Sequence, residues 1–475
     1  MHLTLRAYID GVTAWTLDPQ TVVDFYVNKA KQENSKYNMM IRFHDDYIQK
    51  NLDTIKQGPL KGAPIALKDN FLTQWYITSC GSKMLENYVS PYSATCFLNL
   101  EKNGWLMIGK SNMDEFAMGS STETSYFGVT YNCYGTGRVP GWSSGWSAVA
   151  VASDCCLGAL WTDTSGSVRQ PAALCGIVGM KPTYWMVSRY GVQSMASSLD
   201  QVGVFTKTVE DAEILLKAVA GFDEKDSQSD SRADNFVNWK LKIENWKLNP
   251  KKFKIALPKE VFSEGLDPRI KEILLQKVEQ LRALWCDVQE VSLPVLSYGI
   301  PLYYSLMPAE LGTNLARFDG IKFGLQDESL GHADLASYYQ KIRSEWFGDE
   351  AKRRILLSSF VLSSANYEWY YLRAQKIREQ MIEDVDKIFE EYDLILGPTT
   401  PSVAWKMGER SADPIQMYLE DFYTVSANIC WGPAMTVPMW MVNDDGEDMP
   451  VGIHFMAQRW HEDIVFAFGK LIEKL

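Results

Sequence analysis

Two serine clusters and one lysine are the residues of this chain whose types and spacing could do chemistry. Ser143-Ser144 and Ser165/Ser167 lie in Arg138–Pro182, RVPGWSSGWSAVAVASDCCLGALWTDTSGSVRQPAALCGIVGMKP, and Lys68 stands upstream in Ala66-Leu67-Lys68-Asp69-Asn70. None of the five histidines (His2, His44, His332, His454 and His461) is near them in sequence. Serine and lysine without histidine point to a hydroxyl nucleophile activated by an amine. An ordinary lysine, with a pKa of about 10.4, is a useless base at neutral pH; bringing it to about 7 takes about 4.6 kcal/mol of destabilisation of the ammonium. Desolvation at the end of a buried strand, Pro64-Ile65-Ala66-Leu67-Lys68, could supply that, with a second hydroxyl relaying the proton. Read alone, Lys68 is far more simply a surface lysine.

Two further patterns compete in the same region. Gly141-Trp142-Ser143-Ser144-Gly145 fits the GxSxG form of a nucleophile elbow. That turn needs a strand before it, and Arg138-Val139-Pro140 is a poor strand end because proline removes a ladder donor. Asp163–Gln170 (DTSGSVRQ) offers successive backbone N–H groups in a glycine-containing turn. It reads either as a nest for a developing oxyanion or as an ordinary helix-capping loop.

The elements that must position these residues alternate in type. Apolar spacing predicts helices over 19–32, 41–55, 93–103, 209–220, 268–284 and 367–392. Short apolar runs at 64–67, 105–109, 253–257, 286–291, 394–396, 434–438 and 451–455 predict strands. The small, uniformly apolar run Ala148–Leu160 predicts a buried helix. Strands alternating with helices along the whole chain imply an α/β protein with a mixed, mostly buried sheet. Phe222–Pro250 is polar and charge-rich and reads as a solvated excursion.

Composition narrows the function. A hydrophobic share of 46% and a charged share of 22% suit a soluble globular protein. No apolar run approaches the roughly 18 residues of a membrane span, and MHLTLRAYIDGV has no basic segment followed by an apolar core, so no secretory signal is expected. A net charge of −12 argues against a broad phosphate-binding surface. The eight cysteines form no CxxC pair, which favours reduced, packed thiols in a cytoplasmic protein over a metal site.

Three segments in order resemble the amidase signature family. GWSSGWS resembles its GGSSGGS, WTDTSGSVRQPAALCGIVGMKPT its glycine- and serine-rich signature, and GAPIALKDN its lysine motif, with Leu67 in place of the usual isoleucine or valine. Ser143 precedes Ser167 by 24 residues (167 − 143), as in the family. Lys110–Gly128, Ser188–Gly203, Thr313–Gly324 and Asp413–Ile429 are similar to the branch of A-type subunits of aspartyl/glutamyl-tRNA amidotransferases. The resemblance implies an α/β amidase signature fold: a central mixed β-sheet covered by helices on both faces, in a single domain over 1–475 with its signature core at about 58–204. It implies Ser167 as nucleophile, Lys68 as general base and Ser143, held after a cis peptide bond, as relay. The amides of Thr164, Ser165, Gly166 and Ser167 are implied as the oxyanion hole. Arg354 and Asp421 are implied to grip the α-carboxylate and α-amine of glutamine, with an ordinary surface salt bridge as the alternative, and Ser144 is a supporting hydroxyl. Asp69 and Arg169 are expected to brace the loops rather than react.

The activity so implied is glutamine hydrolysis supplying ammonia for transamidation of Glu-tRNA(Gln) or Asp-tRNA(Asn). The expected partners are B and C subunits and, through the complex, aminoacyl-tRNA, with no membrane. No cofactor or metal is expected on this chain; ATP and Mg²⁺ belong to the partner. A stand-alone amidase acting on a small carboxamide is the second reading.

Tryptophan stands where the family has glycine at Trp75, Trp142, Trp146, Trp161, Trp185, Trp346, Trp431 and Trp440, and less securely at Trp105. A bulky ring where glycine's conformations are needed costs several kcal/mol at each crowded site, by overpacking and strain of about 1–3 kcal/mol apiece. Yet the catalytic motifs around these rings are intact. UGA encodes tryptophan in one variant genetic code and glycine in another, so a glycine gene read with the tryptophan table prints Trp at such positions. The third reading, a non-catalytic subunit, takes the tryptophans at face value.

Overall fold

The computed structural model describes residues 1–119, 121–238, 253–262, 265–327, 334–410 and 414–475. Its strands are β1 (Met40–Phe43), β2 (Ala63–Lys68), β3 (Trp105–Ser111), β4 (Gly158–Asp163), β5 (Val178–Lys181), β6 (Gln201–Thr206), β7 (Lys254–Pro258), β8 (Asp287–Val291), β9 (Leu394–Pro398), β10 (Ala434–Asp444) and β11 (Glu447–Met456). They join one sheet in the order β1-β3-β2-β4-β6-β5-β10-β11-β9-β7-β8. The sheet is mixed: β2 runs parallel to β3 and β4, and β7 to β8 and β9, whereas the centre is antiparallel.

Every residue of β2, β3, β4, β5, β6 and β9 is buried. Side chains alternate between the two faces of a strand, so both faces are covered. This is why β2, β3 and β9 read as apolar runs; β4, β5 and β6, whose polar residues and glycines break the run, are not among the expected strands. The antiparallel hairpin β10–β11 pairs with β5 on one side and β9 on the other, and so joins two part-sheets.

Two expected helices divide differently. The run 41–55 opens as β1, which pairs with β3, before the helix Asp45–Ile55 begins with two acidic residues suited to a helix N-terminus. The run 148–160 covers the end of the helix Gly145–Ala152 and the first half of β4. The helix closes at Asp154 (φ 57), with Asp154 N–H bonded to Val151 O at 3.2 Å and Cys155 N–H to Ala150 O at 2.8 Å. Ser153 and Asp154 mark that break inside the otherwise apolar run, a signal that a reading of the run as one buried helix passes over. The expected helix over 367–392 holds a π turn, Glu368–Leu372, before Arg373–Glu391. Of the polar excursion, the part from 239 onward lies outside the described residues. No helix among the described residues is long and apolar enough to cross a membrane.

Candidate active site

β2 and β4 lie side by side in parallel, with Ala66 opposite Ala159 and Leu67 opposite Leu160. That register brings Lys68 and Thr162-Asp163 to the same end of the sheet. The apolar run that buries β2 therefore carries Lys68 fully into the interior. Burial pushes its ammonium well below the ordinary lysine range, against the opposing pull of the Asp114 and Asp200 carboxylates. Lys68 Nζ donates to Ser143 Oγ and Thr162 Oγ1, each at 3.0 Å. Asn70 Nδ2 donates to the same Thr162 oxygen at 3.2 Å.

Ser143 follows a cis Trp142–Ser143 peptide bond and precedes the helix Gly145–Ala152. Its N–H donates to Ser167 Oγ at 3.1 Å, and the two hydroxyl oxygens are 3.4 Å apart. Lys68, Ser143 and Ser167 thus form one line of polar contacts, buried throughout. The elbow reading fails because no strand leads into Ser143 and its hydroxyl meets a lysine.

Thr164–Ser167 form the turn between β4 and the helix Arg169–Leu174. Gly166 has φ 151, and a Cβ there would stand 2.2 Å from Thr424 Oγ1, so only glycine fits. Thr164 Oγ1 donates to Asp200 Oδ1 at 2.8 Å, and Thr424 Oγ1 donates to Ser165 O at 2.6 Å. Behind the turn, Arg169 donates through Nη2 to Asp163 Oδ1 at 2.9 Å and through Nε to Asp163 Oδ2 at 3.1 Å. Asp163 Oδ2 also accepts the Val168 N–H at 3.1 Å, as a capping carboxylate does. Although burial raises it, the Arg169 charge and hydrogen bonds hold Asp163 down at about 2. Asp163 and Arg169 are a buried pair that fixes the serine turn from below.

A model of the family described as Amidase matches residues 21–466. The chain belongs to the amidase family. It is 46% identical over 419 residues, 88% of this chain and 84% of the other, to the A-type subunit of the glutamyl-tRNA(Gln) amidotransferase of Gloeothece citriformis. It is 41% identical over 480 residues to the same subunit of Methylobacillus flagellatus, covering 99% of this chain and 96% of that one. The crystal structure of the corresponding A-type subunit of the glutamyl-tRNA(Gln) amidotransferase of Thermotoga maritima superposes with a TM-score of 0.82 at 35% identity, covering 99% of this chain and 94% of that one.

Around the serine–lysine line, this member of the amidase family gathers further charged groups from distant segments. Asp421 is 2% exposed; its Oδ2 accepts from Ser165 Oγ at 2.8 Å and its Oδ1 from Trp142 Nε1 at 3.1 Å. Burial raises it to about 6, partly offset by those two bonds and the Arg354 charge. Arg354, on the helix Asp349–Val361, is 3% exposed, which rules out a surface salt bridge. Its Nε donates to Glu350 Oε1 at 2.7 Å, and its guanidinium lies 5.8 and 5.9 Å from the rings of Tyr304 and Tyr418. Ser144 Oγ is buried and has no partner.

Thr162, Asn70 and His454 were given no role by the sequence. Thr162 and Asn70 sit inside the two motifs, adjacent to Asp163 and two residues from Lys68; that adjacency was the available signal. His454 arrives on β11, where its Nε2 is 2.9 Å from Arg169 Nη1, and burial together with the Arg169 charge holds it well below the ordinary histidine range. It serves the bracing pair, since the contact is with Arg169 and the Ser167 hydroxyl faces Ser143. Among the described residues no group of histidine, cysteine and acidic side chains could hold a metal ion.

Three of the tryptophans stand inside this site. Trp161 places its ring 4.2 Å from Lys68 Nζ, an arrangement that favours the charged amine. Trp146 and Trp161 are fully buried with no partner for their indole N–H, a cost of about 1–3 kcal/mol each. Trp142 packs on Trp405 with ring centres 5.4 Å apart and occupies the Asp421 carboxylate.

Proposed function

We propose that the chain is the glutamine-hydrolysing subunit of a tRNA-dependent amidotransferase. The observation that carries this reading is the buried line Lys68 Nζ–Ser143 Oγ–Ser167 Oγ, beside a carboxylate that suits an ammonium. The full-length similarity to A-type subunits supports it.

In this reading neutral Lys68 takes the Ser143 hydroxyl proton while Ser143 takes that of Ser167. The Ser167 Oγ forms a bond to the side-chain amide carbon of glutamine, and the oxygen that gains charge is met by amides of Thr164–Ser167. The C–N bond breaks, the proton held by Lys68 returns through Ser143 to the departing nitrogen, and ammonia leaves a γ-glutamyl ester. Water, deprotonated by the same relay, releases glutamate. Asp421 holds the substrate ammonium and Arg354 its carboxylate, by a bidentate contact. Ammonia passes to a B-type partner, supported by a small C-type subunit, that activates Glu-tRNA(Gln) or Asp-tRNA(Asn) with ATP and Mg²⁺ in the cytoplasm. This chain binds no cofactor of its own.

Ammonia release from glutamine by the assembled complex tests the reading: Ser167→Ala abolishes it, and undiminished release overturns the assignment. One observation favours a second reading, a non-catalytic subunit: Trp142 and Trp161 cover Asp421 and Lys68. Labelling of Ser167 by a serine-reactive phosphonate separates the two.

A further inference from the structure

Five tryptophans have left-handed backbone: Trp15 (φ 59), Trp75 (φ 70), Trp285 (φ 68), Trp431 (φ 62) and Trp460 (φ 71). Among the described residues no other non-glycine type supplies more than two such positions. For a bulky L residue this conformation is an outlier, and glycine is its ordinary occupant.

The local hydrogen bonds show what each position requires. Trp15 follows the helix Leu5–Thr13; its N–H donates to Val12 O at 3.1 Å, and the next N–H, of Thr16, reaches back to Gly11 O at 2.9 Å. Trp285 follows the helix Pro268–Ala283 in the same way, with bonds from Trp285 N–H to Arg282 O at 3.0 Å and from Cys286 N–H to Leu281 O at 3.1 Å. This double closure is the Schellman motif, whose left-handed residue is usually glycine. Gly104 (φ 88) ends the helix Thr95–Lys102 of this chain with the corresponding bond, its N–H to Glu101 O at 3.0 Å. Trp431 ends the helix Val425–Ile429 with its N–H on Asn428 O at 3.2 Å. Trp75 and Trp460 hold the third position of turns closed by Tyr76 N–H to Thr73 O at 3.0 Å and His461 N–H to Gln458 O at 3.1 Å, a position where positive φ selects glycine.

Trp431 donates its indole N–H to Ser198 O at 3.0 Å beneath Arg378, and Trp460 stacks on Trp185, but for the other three rings packing gives no counter-reason. Trp15 is 94% exposed, Trp285 78% and Trp75 74%. Buried side-chain area selects large residues, and these three supply little of it.

We infer that codons 15, 285 and 460, together with 75 and 431, specify glycine in the cell this gene comes from, so that the natural polypeptide carries glycine at helix ends and turns where translation with the tryptophan table prints tryptophan. Trp15, Trp285 and Trp460 are not among the positions that family glycines single out. They come from backbone geometry alone, and the inference does not depend on which amide the site hydrolyses.

Codon identity and stability both test it. UGA at codons 15, 285 and 460 is the expected finding, with glycine in the matching peptides of the native protein by mass spectrometry; UGG at any of the three overturns it. Independently, two full-length chains are compared by thermal unfolding, one with the five tryptophans and one with glycine at all five. The glycine chain melts higher by about 5 °C or more; an equal or lower Tm overturns the inference.

Discussion

Trp142 Nε1 donates to Asp421 Oδ1 at 3.1 Å, so an indole ring fills the space in front of the carboxylate that the proposed substrate's ammonium requires. The two residues are far apart in sequence, and their contact decides whether the pocket is open. Trp142→Gly removes the competitor. A hydrogen bond to a charged group is worth roughly 1.5–3 kcal/mol, so KM for glutamine falls about 10- to 100-fold, measured as ammonia release by the assembled complex. An unchanged KM contradicts the role given to Asp421.

Lys68→Arg keeps a cation in place but cannot lose its proton near neutrality. General base catalysis is worth about 10²–10⁴-fold, and kcat falls by that amount while circular dichroism stays that of the parent. Retention of more than a tenth of the activity excludes Lys68 as the base.

Thr162 holds the Lys68 amine through a hydroxyl shared with Asn70. Thr162→Val leaves the volume but not the acceptor, and lowers kcat by about 10-fold or more with KM unchanged. Thr162→Ser restores the rate. A matching fall in thermal stability without a kcat effect would mark Thr162 as structural.

Asp421 titrates near pH 6 because burial disfavours its charge. Only the ionised form holds an ammonium, so KM for glutamine rises as pH falls through about 6. Asp421→Asn raises KM throughout and removes that dependence. A KM that is flat between pH 5 and 7, about one unit either side of the midpoint, counts against the contact.

Asp163 is lowered to about 2, below its unfolded value, so the folded state binds fewer protons in that range. Its stabilisation, about 2 kcal/mol, is complete above about pH 4 and is lost as pH falls towards about 2. Asp163→Asn leaves Arg169 buried without its counter-charge and costs about 3–5 kcal/mol. Denaturant titration at neutral pH, and again near pH 3, measures both effects; equal losses at the two pH values would refute the linkage.

The contact line Lys68–Ser143–Ser167 was legible because its parts are local: a buried strand ending in lysine, two serines at a fixed spacing, and a glycine turn. The alternation of strands and helices was legible for a similar reason, since each element announces itself by period. What escaped depends on closure of the sheet. His454 reaches Arg169 only once β11 is in place, and Trp142 meets Asp421 only across packed layers. The break between helix and β4 is marked only by Ser153-Asp154, two polar residues in an otherwise apolar run that reads as one helix. Trp15, Trp285 and Trp460 escaped because backbone handedness leaves no mark in composition.

The β10–β11 hairpin has a consequence for synthesis. Chains emerge at roughly 5–20 residues per second, so Lys68 waits about 5–20 s for Ser167. The edge of β5 waits longer still, until residues 434–436 arrive, and that of β9 stays open until residues 453–456 arrive. Until then two unfinished sheets present open backbone to any neighbouring chain. A ribosome that stops short of the hairpin releases a chain already holding Lys68, Ser143 and Ser167, but one whose two halves have no seam.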